Sequence, residues 1–159
     1  MIQWIGHEGC EVALDTRYDP ALISTWYGQA SCELIDRYFR WSDTNAAAAL
    51  AAEQQLVHIV DLRFTTLPAP AACKRLIEHA RDDLGAEVTL SSVVVLGDPA
   101  LRWVVSAAHR MSNGRGLEVV NSIDAAIELA LRRMWDARIP PPCGLAPGRY
   151  EAPTLELTG

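Results

Sequence analysis

One stretch, residues 56–63, limits the fold most, because it is apolar at nearly every position and stops at Asp61. Such a run is typical of a strand that is covered on both faces, and here a proline-containing turn and a helical pattern follow it at once. Two similar units come next, in which residues 93–96 and 117–120 form the strands. This part of the chain therefore predicts strands that alternate with helices, and hence parallel strands in the sheet.

The N-terminal third shows a different pattern, with short segments of mixed polarity separated by turn-forming clusters. Residues 2–5, 10–16 and 22–27 predict a small antiparallel meander. Ser31 is placed to cap a covering helix, in which we predict a break near Thr44-Asn45. Three further helices are predicted to begin at Pro70, at Asp98-Pro99 and at Ser122. We therefore expect an α/β fold, a mixed sheet with a parallel core, an N-terminal antiparallel meander and about four helices.

The composition changes after residue 136, where a run rich in proline and glycine begins. Such a run forms neither a helix nor a central strand, so residues 137–159 predict a tail that is either a linker or a surface strap. Within it, residues 154–157 would either add an edge strand or be disordered. We expect residues 1–136 to form a single domain, since one core is enough for a chain of 159 residues.

The charge distribution argues against nucleic acid and membranes as partners. The formal net charge is -6, Lys74 is the only lysine and the arginines are scattered, whereas phosphate binding requires clustered positive charge. The sequence shows no secretory signal pattern and no apolar stretch of about 20 residues, so we expect a cytoplasmic protein. The four cysteines lack the spacing of a metal site, which predicts free thiols and no cofactor.

The order of elements and four sequence features carry a family resemblance. They are the strand that ends in Asp61-Leu62-Arg63, the loop and helix after it, the strand of residues 93–96 with its helix, and the strand and helix start at residues 119–127. On these features the chain resembles the STAS or SpoIIAA-like superfamily, the anti-sigma-factor-antagonist fold. The resemblance covers about residues 22–134 and implies a regulatory module that is not an enzyme.

One turn departs from the pattern of that superfamily. Regulatory members carry an Asp-Ser-Ser-Gly turn after the central strand, where a partner kinase phosphorylates a serine. The aligned turn here reads Ala69-Pro70-Ala71-Ala72 and has no hydroxyl group. Thr65 and Thr66 lie upstream, and they would be either a shifted phosphorylation site or structural residues that close the strand.

Several residues around the central strand are candidates for binding. Asp61 and Arg63 lie at its carboxyl end, where open α/β sheets place their ligands. Asp61 would alternatively accept hydrogen bonds from the following turn. Arg75 lies on the next helix close to Cys73, whose thiol is either activated by neighbouring positive charge or buried and inert.

The function that we expect from these features is a non-enzymatic protein-interaction module. It would present residues 65–72 and the adjoining helix to a protein partner, and it would form a homodimer through Trp103 or Trp135, which fall outside the apolar stripes of their helices. The alternative is a small-molecule binder, with a lipid or nucleotide in an apolar pocket under a covering helix. An enzyme ranks third, because the four scattered histidines, Asp61 and Cys73 do not suggest a convergent set of titratable groups.

Overall fold

The computed structural model describes residues 1–81, 84–111 and 116–155. Within these ranges, six strands form one sheet, accompanied by four α-helices and a short 3-10 helix at Leu84–Glu87. The strands are β1 (Ile2–His7), β2 (Cys10–Asp15), β3 (Ala21–Gln29), β4 (Leu56–Thr66), β5 (Thr89–Leu96) and β6 (Leu117–Val120). The helices are α1 (Cys32–Ala51), α2 (Pro70–Arg81), α3 (Leu101–Met111) and α4 (Ile123–Asp136).

The strands lie in the sheet in the same order as in the chain. Strands β1, β2 and β3 are antiparallel, and β3 to β6 are parallel. This arrangement confirms the predicted α/β fold with an N-terminal meander and a parallel core.

The sequential strand order determines which face of the sheet each helix covers. Every connection from β3 to β6 links neighbouring parallel strands, and such crossovers are almost always right-handed. Helices α1, α2 and α3 therefore lie on one face, which we call the three-helix face. Helix α4 follows the last strand and packs against β4 and β5 from the other side, which we call the α4 face.

The α4 face is filled by large side chains from the strands and from the helix. Its buried residues include Ile23, Ile59, Val93, Val95, Ala126, Ile127, Ala130 and Met134. Residues 137–155, which we call the strap, complete this face, because Leu145 and Tyr150 are buried in the same cluster. The Tyr27 hydroxyl also donates a hydrogen bond to the carbonyl of Pro153. The strap is thus part of the core on this side.

The edge strand expected at residues 154–157 falls partly outside the described residues. Thr154 and Leu155 are described and do not belong to a strand.

Side-chain caps place the beginnings of the helices as the sequence indicates. The Ser31 hydroxyl accepts a hydrogen bond of 3.2 Å from the Leu34 amide, and the Ser122 hydroxyl accepts one of 3.2 Å from the Ala125 amide. Each hydroxyl satisfies a backbone donor that the helix itself leaves free. Asp98 likewise accepts from the Ala100 amide at 2.8 Å, just before α3.

The predicted break near Thr44 is wrong, because α1 runs without interruption from Cys32 to Ala51. The Thr44 hydroxyl donates to the Arg40 carbonyl at 2.8 Å, and the Asn45 amide donates to the Trp41 carbonyl at 2.8 Å. Both polar side chains are therefore satisfied by the preceding turn of the same helix. None of the described helices, α1 included, is long and apolar enough to cross a membrane.

Candidate functional site

A pocket of about 360 Å³ lies between the three-helix face of the sheet and helices α1, α2 and α3. Strand residues form its floor, and the inner sides of the helices form its roof. The floor residues include Trp26, His58, Val60, Leu62, Ser92 and Val94, and the roof residues include Ile35, Tyr38, Ser42, Leu76, Ala80, Leu101 and Val105. Because most of these side chains are apolar, the pocket is suited to an apolar molecule.

The pocket exists because α2 brings few large side chains towards the sheet. Its buried residues are Ala72 and Cys73, both small, and Leu76 and Ala80 line the pocket from above. Because these inward-facing side chains are small, they leave space between the helix and the strands. Larger side chains at the same positions would fill that space.

Ion pairs on the outer surface hold α2 against α1. The Asp36 carboxylate of α1 accepts hydrogen bonds of 2.6 and 3.0 Å from the Arg75 guanidinium and one of 2.7 Å from His79 Nε2. These bonds, those of Arg75 first, hold the pKa of the Asp36 carboxyl at about 2. Helix α2 is therefore anchored at the rim of the pocket. Arg75, a candidate binding residue from the sequence, has this structural partner.

His58 is the central polar group of the pocket floor. Its side chain lines the pocket, only 7% of the residue is exposed, and the Trp41 ring lies edge-on at 6.5 Å. Within the described part of the chain, no group forms a hydrogen bond with the imidazole. Burial lowers the pKa of His58 to about 4, because the charged form would lose its hydration. The imidazole is therefore neutral at pH 7.

The pocket is elongated along β4. His58, Val60, Leu62 and Thr65 all line it, and at about 3.3 Å per residue this part of the strand spans roughly 20 Å. At the far end from His58, the Thr65 hydroxyl donates to the carbonyl of Gly28, which joins β4 to β3. Thr65 is thus both a pocket residue and a link between strands.

Asp61 and Arg63 lie on the α4 face, away from the pocket. The buried Asp61 carboxylate accepts 2.9 and 2.8 Å bonds from the Arg63 guanidinium and a 3.2 Å bond from the Arg63 amide. In β4, three residue steps separate Asp61 from Phe64, whereas their partners in β3, Thr25 and Tyr27, are two steps apart. The bulge lies at the position of the Asp61–Arg63 pair. The two residues therefore form an ion pair in which both Asp61 carboxylate oxygens are bonded to the Arg63 guanidinium.

A second pair with the same spacing lies two strands away. The buried Asp15 carboxylate of β2 accepts bonds of 3.0 and 2.7 Å from the Arg17 guanidinium, and one of 3.0 Å from the Arg17 amide. This pair was not predicted from the sequence. The signal that identifies it is the Asp-x-Arg spacing at the end of a strand, which Asp61 and Arg63 share.

The remaining candidate residues do not converge on one site. Thr66 is exposed at the end of β4. Trp103 on α3 is 55% exposed and Trp135 on α4 is 76% exposed, and these helices cover opposite faces of the sheet. The structure thus brings Thr65 to the pocket and leaves Thr66, Trp103 and Trp135 on separate surfaces.

Cys73 has the features of a buried, inert thiol. The residue is 5% exposed, its sulfur donates to the Pro68 carbonyl at 3.4 Å, and burial raises its pKa. All four cysteines are free of disulfide bonds. Among the described residues, no group of three or more His, Cys, Asp or Glu side chains is placed to hold a metal ion.

His58 was expected in the central strand from the sequence, but no role was predicted for it. The signal was present, because a single histidine interrupts an apolar run at a position that alternates with Val60 and Leu62. What the sequence does not show is that these positions face a pocket.

Comparison with known proteins adds no assignment: no protein-family model matches the chain, and no curated protein is similar to it. The resemblance to the STAS superfamily therefore stays a prediction.

Proposed function

We propose that this protein binds an apolar small molecule in the pocket between the sheet and helices α1, α2 and α3. The observation that carries the proposal is the cavity itself, about 360 Å³ with a mostly apolar lining. Ligand pockets in proteins are typically about 300–1,000 Å³, lined by apolar side chains with a few polar groups. The pocket matches this description in size and in chemistry.

Protein interiors are normally close-packed, which makes a space of this size informative. Voids much larger than a water molecule are rare in cores, because the lining atoms lose their dispersion contacts. Here α2 is anchored to α1 by Asp36, Arg75 and His79, outside the pocket. The contacts that position the roof therefore leave the interior available to a ligand.

The proposed activity is binding without turnover. General acid–base catalysis uses groups whose pKa lies near the working pH. His58 is the described lining residue whose ordinary pKa is closest to neutrality, and burial moves its pKa to about 4. This shift opposes proton transfer in the pocket near pH 7.

A titration with 1-aminoanthracene, an uncharged apolar fluorophore, tests this proposal. We expect saturable binding with one site per chain and an increase in the melting temperature. The variant Ala80→Phe places a ring in the pocket from α2, and we expect it to weaken binding by at least about tenfold. Ala71→Phe adds the same ring at an exposed position of the same helix and is the matched control.

Loss of binding in Ala80→Phe with normal binding in Ala71→Phe supports the pocket as the site. Absence of saturable binding to the natural chain, or equal binding by both variants, contradicts the proposal.

A second candidate function is protein interaction, including homodimerisation. The observation that favours it is the exposure of two large aromatic residues, Trp103 and Trp135. Aromatic anchors are enriched at protein interfaces. Sedimentation velocity of the natural chain and of the variants Trp103→Ala and Trp135→Ala tests it, since an interface variant would convert a dimer to a monomer. A natural chain that stays monomeric at high concentration would rule out the homodimer.

A further inference from the structure

We propose that His58 makes the pocket selective for an uncharged apolar molecule that carries a hydroxyl group, such as an apolar alcohol or a phenol. This inference rests on the proposed small-molecule function and adds the chemical class of the ligand. It starts from a polar side chain that is buried, lines a cavity and has no hydrogen-bond partner among the described residues.

The first step concerns the state of His58 in the empty pocket. Buried polar groups in proteins are nearly always hydrogen-bonded, and leaving one unpaired is costly. The two ring nitrogens of a neutral imidazole offer one donor and one acceptor. A ligand group that supplies the missing bonds would therefore bind more tightly than a group of the same shape without polar atoms.

The second step concerns the groups around His58. Ser92 lies beside it in the register of β4 and β5. Ser42 of α1 lines the same pocket and is buried. In the described part of the chain, neither hydroxyl forms a side-chain hydrogen bond. We call His58, Ser42 and Ser92, three polar residues of the mostly apolar lining, the patch. Their donors and acceptors match a hydroxyl group, which both donates and accepts.

The third step concerns the charge of the ligand. A carboxylate or ammonium group buried at the patch would lose its hydration and would need an opposite charge close by. His58 does not supply one, because burial opposes its protonation. Of the described lining residues, Arg81 alone carries a full charge, and it is exposed at the end of α2, where water screens it. The patch therefore favours an uncharged group.

The competing interpretation is an anionic amphiphile whose carboxylate lies at Arg81 while its apolar part fills the pocket. The hydroxyl compound and the anionic amphiphile share an apolar body. They differ in the polar end group and in the residue that binds it, His58 or Arg81. A matched set of compounds separates them.

The experiment measures displacement of 1-aminoanthracene at pH 7 by 4-butylphenol, butylbenzene and 4-butylbenzoate, which share one body and differ in one substituent. For the natural chain we expect the phenol to bind about tenfold more tightly than butylbenzene, the scale of one satisfied hydrogen bond, and the benzoate to bind most weakly. In His58→Phe, which keeps an apolar ring in place, we expect the phenol to lose this advantage while butylbenzene binds as before.

His58→Gln is the second variant, because a glutamine side chain can both donate and accept. We expect it to retain part of the preference for the phenol, which separates hydrogen bonding from the shape of the pocket. Arg81→Gln tests the competing interpretation, under which it would weaken binding of the benzoate far more than binding of the phenol or of butylbenzene.

Equal binding of phenol and butylbenzene by the natural chain would overturn the role of His58 while leaving the pocket as a binding site. Tightest binding of the benzoate, lost in Arg81→Gln, would overturn it in favour of an anionic ligand. Failure of the fluorophore and of all three compounds to bind would overturn the proposed function itself.

Discussion

The two faces of the sheet are built from the same strands but differ in how they are covered. On the α4 face, Val57 and Ile59 of β4 are fully buried in a continuous cluster. On the three-helix face, His58 and Val60 of the same strand line a pocket. Alternate residues of a strand point to opposite sides. Adjacent residues of β4 therefore face a close-packed core on one side of the sheet and a cavity on the other.

The comparison shows that the covering helices cause the difference. Helix α4 brings Ile127 and Met134 to the sheet, both fully buried. Helix α2 buries Ala72 and Cys73 instead and is anchored by ion pairs on its outer side. A helix with large inward side chains fills its face, whereas a helix with small ones leaves a cavity that a ligand can occupy.

The largest effect is expected from breaking a charge pair on the filled face. Arg63→Met leaves the buried Asp61 carboxylate without its partner, which typically costs about 3–5 kcal/mol of unfolding free energy. Arg75→Met removes an exposed pair at the rim of the hollow face and should cost much less. Urea denaturation measures both. Similar losses in the two variants would show that the faces do not differ in this respect.

Truncation of a core side chain extends the same contrast. Ile127→Ala opens a cavity in the filled face and is expected to cost about 2–5 kcal/mol. Leu76→Ala enlarges a space that already exists and should cost clearly less. If chemical denaturation gave equal losses, the pocket would not be hollow in solution.

The pH dependence of stability is expected to come partly from the hollow face. The pKa of His58 is about 4 in the folded chain, below the ordinary value of about 6.5. As the pH falls from about 6.5 to 4, His58 binds a proton in the unfolded chain but not in the folded chain. Roughly 3 kcal/mol of unfolding free energy is therefore lost over this range. This loss is absent at neutral pH.

Urea midpoints at pH 7 and pH 4 for the natural chain and for His58→Phe measure this contribution. The variant should lose less stability on acidification, and His7→Gln, at the edge strand, is the control that should behave like the natural chain. Parallel losses in all three proteins would contradict the assignment to His58. Asp36, whose pKa is about 2, stays charged across this window.

The smallest effect is expected from adding volume. Ala80→Leu partly fills the pocket and should raise stability by about 0.5–2 kcal/mol while reducing ligand binding. Ala130→Leu adds the same volume to the filled face, where overpacking should lower stability by about 1–3 kcal/mol. Thermal denaturation measures both changes in stability. A gain for Ala80→Leu with a loss for Ala130→Leu would support the contrast between the two faces, and changes of the same sign would contradict it.

Much of the fold follows from local signals in the sequence. The apolar run at residues 56–63 and the caps at Ser31 and Ser122 predicted the parallel strands and the helix starts, because periodicity and capping act within a few residues. The break expected near Thr44 did not occur, since back-bonding to the preceding turn is compatible with a continuous helix.

The pocket was less accessible to sequence reasoning. A covering helix with a pocket beneath it was an alternative hypothesis, but its lining depends on the distance between α2 and the strands, which no local pattern sets. His58 was visible as a polar residue in an apolar run, whereas Ser42 and Ser92 are distant in sequence and line one pocket only because of the fold. The binding chemistry of the patch is therefore a property of the tertiary structure.

The position of the strap has a consequence for the order in which the chain is synthesised. Strand β3 ends at residue 29 and the strap starts at 137, so β3 emerges from the ribosome roughly a hundred residues before the strap that packs in the same cluster as Ala21 and Ile23. At about 5–20 residues per second, this delay lasts roughly 5–20 s. During this delay Ala21 and Ile23 lack the strap, and apolar side chains left uncovered in this way are what chaperones recognise.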